Sequence, residues 1–350
     1  MEIRQAIGQV AAGSNLKEEE AHKVMAAIMQ GQATPAQIGA LLIALRMKNE
    51  TVEEIAGLAK GMREAALQVE VPELDLIDTC GTGGDGAGTF NISTTAAFVA
   101  AGCGLKVAKH GNRFASSQCG SADVLEALGI NVNLTPKDVA KCIRDVGIGF
   151  LFAQVHHVAM RHVVGPRREL GTRTVFNLLG PLTNPAGAKF QVIGVYNPEL
   201  TEQLAAVLNR LGCTRAMVVH GDGLDEISLS APSKVSELNQ GKITTYQLDP
   251  RDYGFAQAPL DSVKGGDATT NAAITKAILA GETGPKRDII LLNAAAAIYV
   301  AGGTATFAAA LDQAKHSIDS GAAMEKLAAL VRVSSELGDR KDDLRQDCAS

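Results

Sequence analysis

From Pro72 onward the chain changes texture, and the change constrains its fold more than any other feature. Short apolar runs alternate with helical patterns: "LDLID", the Ala-rich "TTAAFVAAG", "LKVAKH", "SADVLEALG", "VNL", "TPKDVAKCIRDVG", "IGFLFA". Strands separated by helices pair most readily in parallel, through right-handed crossovers, so a mostly parallel sheet with helices on its faces is expected. Before Pro72 only helical signals occur. Thr34-Pro35 with Gln37 opens "TPAQIGALLIALRMKN" and Thr51 with Glu54 opens "TVEEIAGLAKGMREAALQV", both capping boxes ahead of apolar positions at helical spacing. Alternation resumes at "QVIGVYNPELTEQLAAVLNRLG" and "RAMVVHG". The expected fold is α/β, with a small N-terminal helical domain over 1–70 and a larger α/β domain with a mostly parallel central sheet over 71–155 and 186–350. The helical, Arg-rich and Pro-marked passage 156–185 is expected to pack in part back on the helical domain, with hinges on either side.

Composition narrows the partners. With 350 residues, 46% of them hydrophobic, the chain has ample material for such a core. A formal net charge of -5, with the charges mixed along the chain, offers no basic surface for nucleic acid, so any anion must be bound by local groups. Cys80, Cys103, Cys119, Cys142, Cys213 and Cys348 are scattered without a CxxC pair, the pattern of reduced thiols in a cytoplasmic protein. The opening "MEIRQAIGQV" lacks an apolar signal core. The weakly polar run "IILLNAAAAIYVAGGTATFAAAL" from Ile289 is interrupted by Asn293 and two threonines, and reads as a buried strand and helix in preference to a membrane span.

The chemistry concentrates in "DLIDTCGTGGDGAGTFNISTTAAFVAAG", Asp75 to Gly102. Its "GTGGDG" is a literal match to the dinucleotide fingerprint GxGxxG. In a dinucleotide fold the strand some twenty residues on ends in an acid that holds ribose hydroxyls. Here that strand ends in Lys109 and His110, and a cation there suits a phosphate, which leaves a 2'-phosphorylated dinucleotide as an alternative. Gly81, Gly83, Gly84, Gly86 and Gly88 let backbone amides approach an anion from several directions. Asp85 in their midst would repel a pyrophosphate, so its partner is a metal ion or a ribose hydroxyl. No GK[ST] follows, which argues against a triphosphate P-loop. "NIST", Asn91 to Thr94, places amide and hydroxyl donors where the next helix begins. One strand later, Lys109, Asn112, Arg113, Ser116, Ser117 and Ser121 form a second phosphate-type stretch on the same sheet edge, and two cradles side by side suit a substrate phosphorylated at both ends. In "VVHGDGLDEISLS", Asp225 and Glu226 are either ligands for one or two Mg2+ ions or part of a solvated turn. His110 is a candidate general base or a hydrogen-bonded structural residue.

Four segments in order, "DTCGTGGDGAGTFNIST", "KHGNR..SS..GSADVLEALG", "RRELGTRTVFNLLGPLTNPA" and "HGDGLDEISL", resemble the anthranilate phosphoribosyltransferases, of the nucleoside phosphorylase II type. The likeness runs over nearly the whole chain. It implies transfer of phosphoribose from 5-phosphoribosyl 1-pyrophosphate (PRPP) to the amine of anthranilate, with release of pyrophosphate, in tryptophan biosynthesis. It also implies a homodimer formed through the helical domain, and Mg2+ bound as two ions. Carried over residue by residue, it assigns PRPP to Gly81, Gly84, Asp85, Thr89, Asn91, Ile92, Ser93, Thr94, Lys109, His110, Gly111, Asn112, Arg113, Ser116, Ser117 and Ser121. Metal falls to Ser93, Asp225 and Glu226, and anthranilate to Gly81, Asn112 and Arg167. A benzoate needs a cation, and "PRRELG" holds the one Arg pair of the hinge passage, so Arg168 is the alternative to Arg167. Two departures stand out: Val158 where the family commonly has proline in "HHPAM", and the bulky Phe114 after "KHGNR". The rival functions are a pyrimidine nucleoside phosphorylase of the same fold, which would use free phosphate as nucleophile, and a ligand-binding paralogue without activity.

Overall fold

The computed structural model describes residues 1–113 and 119–347, with side chains described as far as 338. The chain opens with helices α1 (Ile3–Ala11), α2 (Glu18–Met29), α3 (Pro35–Lys48) and α4 (Val52–Glu64). α3 and α4 begin where their capping boxes dictate. The Thr34 hydroxyl accepts from the Gln37 N–H while the Gln37 side chain takes the Thr34 N–H, and Thr51 and Glu54 do the same.

The α/β region begins with β1 (Leu76–Gly81), α5 (Ile92–Gly102), β2 (Lys106–Gly111), α6 (Ser121–Ala127), α7 (Pro136–Asp145) and β3 (Ile148–Phe152). The Arg-rich passage forms α8 (Ala153–His156), a 3-10 turn at Val158–Met160, α9 (Arg161–Leu170) and α10 (Phe176–Leu182). Then follow β4 (Phe190–Gly194), α11 (Leu200–Arg210), β5 (Arg215–His220), the hairpin β6 (Ser233–Asn239) and β7 (Lys242–Leu248), and α12 (Ala268–Leu279), α13 (Pro285–Val300), α14 (Phe307–Asp319) and α15 (Ala322–Asp347).

Among the described residues the strands form one sheet in the order β3-β2-β1-β4-β5-β6-β7, parallel from β3 to β5 and antiparallel beyond. The chain runs outward from β1 to β3, then returns to β4 on the other side of β1. The β1/β4 boundary is therefore the topological switch point, the place where an open α/β sheet leaves a crevice at its carboxyl edge. Gly81 and Gly194 face each other there in register.

The two faces of the sheet feed different cores, as the strand period of two requires. Val192, Met217 and Val219 join α5 and α13–α15, while Ile193, Ala216 and Val218 join α1–α4 and α9–α11. The N-terminal helices thus share one apolar core with the Arg-rich passage and one face of the sheet. α5 and α13 meet through fully buried alanines, with Ala97, Ala100 and Ala101 on one helix and Ala294–Ala297 on the other, so the Ala-rich runs are contact surfaces of two closely packed helices.

Three local expectations change. "VNL" forms no strand. The run from Ile289 is neither strand plus helix nor a span: it forms most of α13, a turn and the start of α14, and among the described residues no helix is long and apolar enough to cross a membrane. The β6–β7 edge hairpin carries little strand signal in the sequence, because its exposed positions, such as Lys242 and Thr244, blur the alternation.

Glu54 is the most loaded polar residue of the helical region. It is fully buried, accepts the N–H groups of Leu16 and Thr51 at 2.9 and 2.8 Å, and pairs with Lys48 at 2.8 Å. Glu54→Ala should cost about 3 kcal/mol, because it strands a largely buried ammonium and two N–H donors. Chemical denaturation followed by far-UV circular dichroism measures this; a loss below ~1 kcal/mol would show that the loop Asn15–Lys17 relaxes around the gap.

Candidate active site

The crevice at the switch point is filled from below by the turn after β5. A Cβ on Gly81 would overlap the Asp225 carboxylate, and one on Gly194 would overlap the Asp225 backbone carbonyl. The two glycines at the ends of β1 and β4 are therefore the space into which Asp225 packs. Its carboxylate accepts the Gly83 N–H at 2.7 Å and is hydrogen-bonded to the Asp85 carboxyl. Glu226 turns the other way and accepts the Ser93 N–H at 3.1 Å, an anion on the first turn of α5.

Both carboxylates are half-buried and closely surrounded by protein. Desolvation pushes Asp225 up to about 7, with Asp85 adding in the same direction. Desolvation also holds Glu226 well above the ordinary carboxylate range, and the charge of Asp225 adds to it. The nearby cation is Lys109, buried on β2, whose ammonium donates to the Thr79 carbonyl and to Ser93 Oγ at 3.3 Å. Burial is the first cause of both shifts, and one ammonium offsets only part of the charge of three carboxyl groups.

Above this floor lies the glycine loop. Gly83, Gly84, Gly86 and Gly88 all take positive φ, from 65 to 78°. Asp85 Oδ1 accepts the Ala87 N–H at 3.1 Å, and Thr89 is pinned by a bridge to Lys264. The N–H groups of Gly84, Asp85 and Gly86 have no partner among the described residues. Successive free amides in alternating conformations make a nest for an anion. Asn91 precedes α5 and is fixed by Asn271, whose amide donates to its Oδ1 at 3.0 Å; Ile92 and Thr94 are buried beneath the loop.

A cation fits between floor and nest. The donors are hard oxygens, two of the acids are raised by burial and by like charge nearby, and an anion cradle stands beside them. Among the described residues no group of three or more His, Cys, Asp or Glu side chains forms a closed metal cage. Mg2+ suits such an open arrangement, since it keeps waters and substrate oxygens in its shell.

The opposite face of β2 carries different chemistry. His110 is buried, its N–H donates to Asp78 Oδ1 at 3.0 Å, and its Nδ1 lies 3.1 Å from the Gly180 carbonyl. A carbonyl only accepts, so Nδ1 carries the proton and Nε2 the lone pair, and Nε2 has no partner among the described residues. Desolvation, then His157 and His156, keep this imidazole neutral, well below its usual pKa. His157 sits 5.1 Å away ring to ring, hydrogen-bonded to the Thr183 backbone and pushed down to about 4 by burial.

The remaining expected residues are more dispersed. Gly111 lies against the Ser121 hydroxyl, which donates to the Asn112 carbonyl at 3.1 Å and accepts the Asn112 N–H at 3.2 Å. Arg113 does not face the nest: it pairs with Asp123 and Glu126 at 2.7 and 2.6 Å. Ser116, Ser117 and Phe114 lie outside the described residues. Arg167 stands apart on α9, half-buried, with its guanidinium 5.3 Å from the Phe176 ring centre and no hydrogen-bond or ion-pair partner among the described residues; Arg168 is exposed. Val158 is 46% exposed at the start of the 3-10 turn.

Four further residues, to which the sequence assigned no role, stand around the site: Asp78, Asn184, His157 and Arg173. Asp78 is fully buried, is raised to about 6 by desolvation, and accepts from Asn184 Nδ2 at 2.7 Å; the same nitrogen donates to the Ala108 carbonyl. This ties β1 and β2 to the end of the Arg-rich passage. The sequence signal for it is an acid close behind the apolar start of β1, in "LIDTCG".

Fold and site together define a two-part glycosyl transferase. Residues 4–66 match the model of the glycosyl transferase family helical bundle domain, and residues 73–324 that of the glycosyl transferase family a/b domain. An anthranilate phosphoribosyltransferase from Moorella thermoacetica is 57% identical over 94% of this chain and 97% of its own. The crystal structure of the Thermus thermophilus enzyme superposes with a TM-score of 0.90 at 46% identity, covering 94% of this chain and 99% of that one. The Saccharomyces cerevisiae enzyme, solved in complex with PRPP and Mg, gives 0.87 at 30% identity, covering 95% and 98%. The chain belongs to the anthranilate phosphoribosyltransferase family.

The raised acids set a pH signature. Between about pH 4 and about 7 the folded chain keeps a proton on Asp225 that the unfolded chain releases, so this group's contribution to stability falls as pH rises through that window. His157, held neutral, contributes the opposite slope between about 4 and about 6.5. The informative quantity is therefore the difference between wild type and Asp225→Asn. In melting curves without metal, the advantage of the asparagine variant should grow from about pH 5 to about 7.5, and added Mg2+ should stabilise wild type increasingly over the same range. A difference that is flat with pH, with and without Mg2+, would mean that Asp225 is ionised throughout.

Proposed function

We propose that this chain transfers the phosphoribosyl group of PRPP to the amine of anthranilate and releases pyrophosphate, a step of tryptophan biosynthesis. The observation that carries the reading is the half-buried Asp225–Glu226 pair directly beneath a nest of unpartnered amides at the β1/β4 switch point. Carboxylates beside an anion cradle are compatible when a cation lies between them, which is the arrangement a metal-bound pyrophosphate requires.

In this reading Gly81, Gly84, Asp85 and Thr89 hold pyrophosphate and ribose. Asn91–Thr94, Lys109–Arg113 and Ser121 complete the PRPP site, and Ser93, Asp225 and Glu226 hold Mg2+ as two ions. When bound, Mg2+ neutralises charge on the departing pyrophosphate. The nest amides and Lys109 stabilise the same charge from fixed positions at no reorganisation cost. The C1–O bond to pyrophosphate breaks ahead of attack, since an aromatic amine is a poor nucleophile; the C1–N bond then forms and the nitrogen loses a proton. Much of the remaining rate comes from alignment. Arg167 supplies the cation for the anthranilate carboxylate: it is half-buried and uncommitted among the described residues, where Arg168 is solvated. Asn112 and Gly81 flank the amine. His110 fits as acceptor for the amine proton through its free Nε2; a neutral, weak base suffices because a ribosylated anilinium is itself strongly acidic.

The same reading carries a cytoplasmic homodimer. Its support is an apolar groove of about 520 Å³ on the helical region, apart from the carboxylates, lined by Val10, Ile43, Ala44, Met47 and Leu170, with Met47 81% exposed at its rim.

Loss of anthranilate fluorescence in the presence of PRPP tests the reaction. Wild type should consume anthranilate only with Mg2+, and Asp225→Asn with Glu226→Gln should show little turnover; no loss in wild type would remove the assignment. In the same assay Arg167→Ala should raise KM for anthranilate roughly ten- to a hundredfold and leave KM for PRPP nearly unchanged, the size of a lost charge-assisted bond. For the assembly, Met47→Glu should shift sedimentation from dimer to monomer, and a wild type that sediments as a monomer sinks the dimer.

A further inference from the structure

Arg173 lies between α9 and α10, and the anion-site reading gives it no part. Its Nη2 donates to the Gly84 carbonyl, in the middle of the nest. Its guanidinium lies over the Tyr196 ring at 4.0 Å from the centre, and the Tyr196 N–H donates to Thr82 Oγ1 at 3.2 Å. From behind, Arg46 on α3 donates to the Arg173 carbonyl and to Thr172 Oγ1. Among the described residues Arg173 makes no ion pair. A chain of contacts thus runs from the helical region through Arg173 to both ends of the Thr82–Gly84 turn.

The consequence follows from peptide geometry. The peptide between Gly84 and Asp85 is planar and trans, so the Gly84 C=O and the Asp85 N–H point in opposite directions. Gly84 has a φ of 78°, and as a glycine it resists a flip of that peptide weakly. A flip would replace the Asp85 N–H in the nest with a carbonyl oxygen that repels an anion. Holding the carbonyl on a cation keeps the N–H available.

We propose that Arg173 is a positioning residue for the pyrophosphate end of PRPP: stacked on Tyr196, it holds the Gly84–Asp85 peptide with its N–H toward the leaving group. The role rests on the glycine loop being the pyrophosphate site. It predicts an effect on PRPP and pyrophosphate that does not extend to anthranilate.

The test compares Arg173→Ala, Tyr196→Leu, the double variant and Asp225→Asn in the fluorescence assay, with inhibition by pyrophosphate and a melting curve for each. Arg173→Ala should raise KM for PRPP and weaken pyrophosphate inhibition about tenfold each, as expected for loss of one charge-assisted hydrogen bond at an exposed site. KM for anthranilate should stay within about twofold and the melting temperature within ~2 °C. Tyr196→Leu should give a smaller shift of the same kind, and the double variant should be no worse than Arg173→Ala alone, because the ring acts through the guanidinium. Unchanged PRPP and pyrophosphate constants in Arg173→Ala, alongside an impaired Asp225→Asn, would overturn the role while leaving the site in place. If Asp225→Asn is also unimpaired, the site reading itself fails. Equal rises in both KM values, or a lowered melting temperature, would make Arg173 a general structural residue and overturn the proposal.

Discussion

The insertion of Asp225 between the ends of β1 and β4 is the constraint on which the site depends. Gly81 and Gly194 have no side chains because the Asp225 carboxylate and carbonyl occupy that space. Once the turn is seated there, the rest follows from reach: Asp225 accepts Gly83, Glu226 accepts Ser93, and Lys109 extends across from β2 toward Ser93. The packing places three carboxyl groups, counting Asp85, around one ammonium. Such an imbalance costs stability in the protein alone, through desolvation and like-charge repulsion. A divalent cation with an anionic ligand would complete the charge and offset that cost.

A second buried network holds the Arg-rich passage to the sheet. Asp78 joins the His110 N–H to Asn184, His110 reaches the Gly180 carbonyl, His157 reaches Thr183, and His156 both donates to the Leu67 carbonyl at 2.9 Å and accepts the Leu67 N–H at 2.9 Å. These bonds connect β1 and β2 to the Arg-rich passage and to the end of the helical region. His110, His156 and His157 sit in this belt, each with an Nε2 that has no partner among the described residues. A buried polar atom without a partner is expensive, which makes this junction the natural place for a substrate group or ordered water.

Much of this is legible in the sequence, and the limits are physical. The capping boxes at Thr34 and Thr51, the strand–helix alternation and the glycine loop are local signals, set by spacing within a few residues. The convergence of Gly81, Ser93, Lys109 and Asp225 is readable only as separate motifs, because sequence does not show that Gly194 stands opposite Gly81. Asp78 and Arg173 escape for the same reason: their partners, Asn184 and Gly84, are distant in the chain and meet them only through the fold. The Ile289 run misleads because a helix packed on all sides lacks the polar face that marks helical period. Arg113 is a motif position whose partners the sequence does not show: it pairs with two acids of α6 in this structure.

The distribution of ion pairs explains how an acidic chain serves anionic substrates. Arg144, Arg210, Arg251 and Arg287 each meet a carboxylate on the periphery, which cancels their fields at short range. The cations around the cleft are treated differently. Arg173 donates to a carbonyl and Arg167 faces a ring, while Lys109, hydrogen-bonded to a carbonyl and a hydroxyl, stands among the site's own acids. Neutral partners fix a cation's position without consuming its charge, so the two arginines retain their attraction for an incoming anion. Net charge therefore says little about what this protein binds; what decides it is which few positive groups the fold withholds from its own acids.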